Sequence, residues 1–176
     1  MRLFVALDLN ELRGYFEGIQ AQLRDERVHA TWPRDFHLTL KFLGEVPEDK
    51  LEAVKERLGR VVFEPFEARV AELGWFTPRR LRTIWLAVRS PAIVELQTKI
   101  ESALADLFGR EKRFIPHLTL ARIKAVRERS AYLSKLATVA TEEKVVRLSS
   151  FQLIKSTLDR AGPSYEVLAE FKTKNL

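Results

Sequence analysis

The amino-acid sequence predicts an α+β fold assembled from two related halves, and three observations carry that expectation. Stretches with apolar residues at helical spacing alternate along the chain with short runs rich in β-branched and aromatic residues. No stretch is low-complexity or linker-like, so the 176 residues, 46% of them hydrophobic, are expected to form one domain over 1–176 around a core of their own. Finally, Phe36-His37-Leu38-Thr39-Leu40 recurs as Pro116-His117-Leu118-Thr119-Leu120, 80 positions later.

In chain order, a first strand is expected at 3–9. Leu12, Tyr15, Phe16, Ile19 and Leu23 then follow the spacing of an amphipathic helix. A strand at 36–43 carries the first copy of the repeat. Pro47-Glu48-Asp49 is a helix start signal, and Leu51, Val54, Leu58 and Val61 supply the apolar stripe behind it. Strands follow at 66–73 and 83–88. A third helix is expected from Pro91 through Ile93, Leu96, Ile100, Leu104 and Leu107 to Gly109, with proline opening it and glycine closing it. The strand at 115–123 holds the second copy of the repeat, and a short helix at 127–137 follows. Strands at 145–154 and 165–171, separated by a Gly162-Pro163 turn, complete the chain. Each half would thus present one strand with the same tetrapeptide, and a pseudo-twofold packing would bring the two strands together across a central cleft.

Composition removes several classes of function. With no cysteine, disulfides, thiolate zinc sites and a cysteine nucleophile are excluded, and a cytoplasmic location is the expectation. The stretch at 1–10 has one arginine and a short apolar run broken by Asp8, which reads as a strand and not as a signal or a membrane span. Neither a Gly-x-x-x-x-Gly-Lys loop nor a Gly-x-Gly-x-x-Gly fingerprint occurs, so nothing supports an ATP requirement. The formal net charge of +6 favours polyanionic partners.

On a strand, residues two apart share a face, so His37 with Thr39, and His117 with Thr119, each present an imidazole and a hydroxyl to one side. Leu38, Leu40, Leu118 and Leu120 point the other way, into the core. Two histidines facing one cleft suit acid–base work, because an imidazole titrates near ~6.5 and one can accept a proton while the other donates one. The threonine hydroxyls would hold negative charge by hydrogen bonding. Arg122 would add a cation, although a regular strand places it on the opposite face from His117. His29 lacks the paired context and is assigned a structural or surface role. Three histidines without His-Glu-x-x-His spacing give no metal site.

The two segments His37-Leu38-Thr39-Leu40-Lys41-Phe42-Leu43-Gly44-Glu45 and Pro116-His117-Leu118-Thr119-Leu120-Ala121-Arg122 resemble the paired His-x-Thr-x motifs of the two-histidine (2H) phosphoesterases. Within that superfamily the chain is most similar to the RNA 2',3'-cyclic phosphodiesterases, also called the 2'-5' RNA ligase or LigT-like family. The resemblance runs from the Arg2–Leu7 segment to Lys155-Ser156-Thr157-Leu158 and Gly162-Pro163-Ser164-Tyr165. It implies an α+β fold of two pseudo-symmetric lobes, each an antiparallel sheet backed by helices, with the motifs in a central cleft. It also implies hydrolysis of an RNA-terminal 2',3'-cyclic phosphate to a 2'-phosphate without metal or other cofactor. His37 would be the proton donor and His117 the proton acceptor. The same pair would join RNA ends through a 2'-5' bond when a ribose hydroxyl replaces water.

For binding the RNA, Arg122, Tyr165, Trp32, Arg79 and Arg80 are the leading candidates. Arg34, Trp75, Phe76, Arg82, Arg110, Lys112, Arg113 and Lys124 form a wider basic and aromatic pool, since single-stranded ends are held by phosphate contacts and base stacking. Trp85 is expected in the core. The partner implied is RNA with a 2',3'-cyclic phosphate end, single-stranded or tRNA-derived, with no membrane and no obligate protein partner. Two other functions remain open at this level. One is a non-catalytic module that binds RNA ends, and the other is a phosphodiesterase acting on 2'-5' oligoadenylates or small cyclic nucleotides.

Overall fold

A computed structural model describes residues 1–76, 81–159 and 162–173, apart from the side chains of residues 159 and 162. The order is β1 (Arg2–Asp8), α1 (Arg13–Leu23), β2 (Val28–Thr31), β3 (His37–Glu45), α2 (Leu51–Gly59), β4 (Phe66–Trp75) and β5 (Thr83–Arg89). There follow α3 (Pro91–Ala103), β6 (His117–Val126), α4 (Arg129–Leu136), β7 (Lys144–Leu148), β8 (Ser150–Asp159) and β9 (Gly162–Lys172). The strands form two antiparallel sheets, one ordered β3-β1-β8-β9 and the other β2-β6-β5-β4-β7. The expected α+β class with two antiparallel lobes is therefore what the chain adopts.

Each lobe is organised around a strand, a helix and a second strand paired back onto the first. In one, β1 leads through α1 to β3, and in the other β5 leads through α3 to β6. Alternation dictates which side faces in. Leu3, Val5 and Leu7 of β1 and Leu38 and Leu40 of β3 are buried in the same core as Ile84, Leu86 and Val88 of β5 and Leu118 and Leu120 of β6. Phe16, Ile19 and Leu23 of α1 and Ile93, Leu96 and Ile100 of α3 add their apolar stripes to that one continuous cluster. Each such side chain contributes roughly 1.5–3 kcal/mol on burial.

Four expectations about elements need correction. The strand expected at 145–154 is two strands in different sheets, β7 pairing with β4 and β8 with β1 and β9, with Ser149 alone between them. Both sides of the break are equally β-prone, so only the pairing partners reveal it. The segment Val28–Thr31, without a strand signal of its own, forms β2, an edge strand paired with β6; four half-polar residues are too few to display a period. Helix α3 stops at Ala103, where the Leu104 N–H closes back on Ile100 O and tight turns take over. Gly162 and Pro163 are not a free turn but the first residues of β9, opposite Asp159 and Leu158.

Candidate active site

His37 opens β3 and His117 opens β6, and the two strands share a local geometry. In β3, Leu38 and Leu40 are buried while His37 and Thr39 are half-buried on the other face. Val5 lies opposite Lys41 but Ala6 lies opposite Thr39, so Leu40 is an extra residue, a β-bulge. In β6, Ile84 lies opposite Ala121 and Trp85 opposite Thr119, which makes Leu120 the extra residue. The duplication in sequence is thus a duplication of backbone irregularity as well.

The bulge decides where the fifth residue after each histidine points. Leu40 and Lys41 are both buried, as are Leu120 and Ala121, so alternation resumes one step late. Phe42 and Arg122 consequently return to the faces that carry His37 and His117. Regular alternation would have turned Arg122 away, and the bulge corrects that expectation. Its guanidinium charge acts on both His117 and the Tyr165 phenol.

Each imidazole sits in an aromatic corner. Phe4 stacks on His37 with ring centroids 5.5 Å apart at 19°, and Tyr165 meets the same imidazole edge-on at 4.9 Å. Phe76 meets His117 edge-on at 4.9 Å, with Trp85 at 6.1 Å behind it. Trp85 is therefore a wall of the site and not core as expected. Gly74 makes room for it, since a Cβ there would fall 2.6 Å from the indole. Because Arg122 influences both His117 and Tyr165, and Tyr165 packs on His37, the side chains of the two lobes converge on one space.

The two histidines differ in electrostatics. Burial pushes both imidazoles below the ordinary histidine value. Asp8 and Asp35 oppose that fall at His37. At His117 the hydrogen bond from Nδ1 to Ile115 O, 2.7 Å, opposes it, whereas Arg122 reinforces it. A carbonyl can only accept, so Nδ1 carries the proton and Nε2 of neutral His117 is a bare acceptor.

The other sequence candidates are spread more widely. Tyr165 is in the site, and burial raises its phenol above the ordinary tyrosine value. Trp32 packs on the core with the Arg24 guanidinium 4.6 Å over its ring, in a groove of about 270 Å³ lined also by Arg13, Gln20, Pro33 and Arg34. Arg79 and Arg80 lie outside the described residues. Trp75 packs against the core, His29 is exposed on β2, and Arg82, Arg110, Lys112, Arg113 and Lys124 are exposed. Phe4, Asp8 and Asp35 are site residues that sequence reasoning does not single out. Every residue from Leu3 to Leu7 is apolar, so the sequence does not reveal which face of β1 is core and which lines a site. Among the described residues, no three histidine, aspartate or glutamate side chains gather as metal ligands would.

Two strands with matching bulged His-x-Thr segments thus each set an imidazole in an aromatic-walled corner. The chain belongs to the 2'-5' RNA ligase superfamily, whose family model matches residues 5–160. It is similar to proteins named RNA 2',3'-cyclic phosphodiesterase from Methanothermobacter thermautotrophicus, 33% identical over 98% of both chains, and from Aeropyrum pernix, 37% identical over 88% of this chain and 95% of that one. Among solved structures it is similar to a protein of Thermus thermophilus, with a TM-score of 0.80 and 31% identity over 98% of this chain and 97% of that one. E. coli LigT in complex with 3'-AMP matches with a TM-score of 0.79 and 26% identity over 99% and 98%.

Proposed function

We propose that this protein hydrolyses the 2',3'-cyclic phosphate at an RNA end to a 2'-phosphate by histidine acid–base catalysis, needing no metal. The observation that supports it best is the pair of matched strands whose histidines share a bulged, aromatic-walled setting but have opposite charged neighbours. His117 Nε2 takes a proton from water as the water oxygen bonds to phosphorus. The bond from phosphorus to the 3'-oxygen breaks on the far side, and His37 gives its proton to that oxygen. The acidic neighbours Asp8 and Asp35 favour a proton on His37, and Arg122 disfavours one on His117, which matches donor to donor and acceptor to acceptor. Thr39 and Thr119 hydroxyls donate to the non-bridging oxygens, and Arg122 faces the same charge. Relatives named RNA 2',3'-cyclic phosphodiesterase, and a LigT structure holding 3'-AMP, fit a nucleotide phosphate in this space.

The test is a short RNA ending in 2',3'-cyclic phosphate, incubated with the protein in excess EDTA, with the product's phosphate position identified. A 2'-phosphate formed by the wild type, and lost in His37→Ala and in His117→Ala, is the expected result. Binding of the RNA without turnover would instead make the protein an RNA-end binding module, and loss of activity in EDTA would remove the metal-free mechanism.

A further inference from the structure

Four amide or charged side chains are buried among the described residues: Gln20, Lys41, Gln97 and Glu101. Burial of such groups costs free energy unless each is hydrogen-bonded, and once bonded they hold their partners in one arrangement. All four lie where a helix of one lobe meets the bulged strand of the other. Lys41, beside the β3 bulge, is held by Glu101 of α3, to which Gln97 also donates. Gln20, on α1, donates from Nε2 to Leu120 O at 2.9 Å and to Pro33 O at 2.9 Å.

Both of these carbonyls belong to the approach to a histidine. Leu120 is the extra residue of the β6 bulge, three positions after His117, and it pairs with no residue of β5 or β2. Ala121 stands where β3 has Lys41 and offers no polar side-chain atom, so α1 grips this bulge by its backbone. Pro33 lies four positions before His37, on the segment that carries the chain from β2 in one sheet to β3 in the other. Asp35, whose charge acts on His37, is on the same segment. An amide NH2 has two hydrogens to donate, and the two carbonyls use both.

We propose that Gln20 is a positioning residue, whose single amide sets the spacing between the strands of His37 and His117 and so the alignment of the two imidazoles across the substrate. The proposal rests on the reading of the site as one in which both histidines act on a cyclic phosphate. Helix α1 packs on the core that Leu118 and Leu120 face, behind the strand that carries His117, so Gln20 acts through the backbone and not on the substrate. Its effect is large because a displacement on the order of 1 Å at reacting groups costs about a hundredfold in rate.

The experiment measures steady-state hydrolysis of adenosine 2',3'-cyclic phosphate, and the affinity for adenosine 2'-phosphate, at a temperature where circular dichroism shows each variant folded. Gln20→Met keeps the length of the side chain and removes the donor, and Gln20→Asn keeps the amide but is one methylene too short to hold both carbonyls. Both should lower kcat and kcat/KM together, by roughly tenfold to a hundredfold, with affinity for adenosine 2'-phosphate within about twofold of wild type. Gln97→Met removes a buried amide hydrogen bond within α3, detaches no strand, and should keep kcat within about twofold. Wild-type kcat in folded Gln20→Met would overturn the proposal, as would a loss seen only in KM and affinity. An equal loss in Gln97→Met would tie activity to general stability, and failure of both Gln20 variants to fold would make Gln20 a residue of stability alone; each overturns it as well. Failure of the wild type to hydrolyse the compound would instead bring down the underlying reading of the site, and this proposal with it.

Discussion

His37 and His117 are both held below the ordinary histidine value by burial, and under the proposed acid–base roles this sets the expected pH dependence of the free protein. The acceptor must be neutral, so its lowered value extends activity toward acid. The donor must be protonated, so its lowered value brings the alkaline limb in early. The bell in kcat/KM is therefore expected to centre below ~6.5, while the bell in kcat lies higher, because bound phosphate stabilises imidazolium. Asp8→Asn removes a charge that supports the proton on His37 and should move the alkaline limb further toward acid, whereas Arg122→Gln should move the acidic limb toward neutrality. Rate profiles of the wild type and these two variants decide it, and a kcat/KM maximum above about pH 7 would contradict the assignment. The double variant His37→Ala, His117→Ala should be hardly slower than either single one, since groups acting as a unit lose activity together. At this scale the candidate residues are legible, because a repeated His-x-Thr needs no structure to be noticed. Their neighbours are not: Asp8 and Phe4 lie on β1 and reach His37 only through the pairing of β1 with β3, and nothing in the sequence marks Asp35, two residues before His37, as a charge that acts on the imidazole.

The bulges are the feature of the elements that matters most. In β3 the bulge turns Lys41 inward, where its side chain is 2% exposed and its Nζ lies 2.8 Å from Glu101 Oε2 and 2.7 Å from Gly109 O. Glu101 Oε1 also accepts from Gln97 and from the Glu111 N–H, so the network ties β3 to α3 and to the segment leading to β6. Lys41→Met strands a buried carboxylate and should cost about 3–5 kcal/mol, while Lys41→Met with Glu101→Leu should recover most of it. Denaturant unfolding of both variants measures this, and a single-variant loss under about 1 kcal/mol would show the pair to be dispensable. In β6 the corresponding inward residue is Ala121, which needs no partner. Helices α1 to α3 are legible from their apolar period, to within a turn or two at their ends. A bulge carries no such signature, which is why alternation alone misdirects Arg122 and gives Phe42 no distinction. The split of 145–154 is hidden for a related reason, as the choice of sheet belongs to partners far away in the chain.

For the whole molecule, the net charge of +6 acts at a distance and the aromatic corners act on contact. The two should separate with salt. Hydrolysis of an RNA of several nucleotides is expected to lose kcat/KM steadily as salt rises, with a slope of roughly −0.7 per phosphate neutralised, while a mononucleoside cyclic phosphate responds far less. Equal salt dependence for both substrates would mean that the protein touches only the terminal nucleotide. The two-lobed plan is legible from the repeat, yet the exchange of strands between halves is not. β2, from the first half of the chain, lies at the edge of the sheet that holds His117, and β8 and β9, from the last part of the chain, complete the sheet that holds His37. The chain therefore cannot be cut at its middle into two self-sufficient pieces: an amino-terminal fragment would have β1 bare along the side that β8 covers, and a carboxy-terminal one would have β6 bare where β2 belongs. The halves are braided, and each histidine is held in place by strands that its own half does not encode.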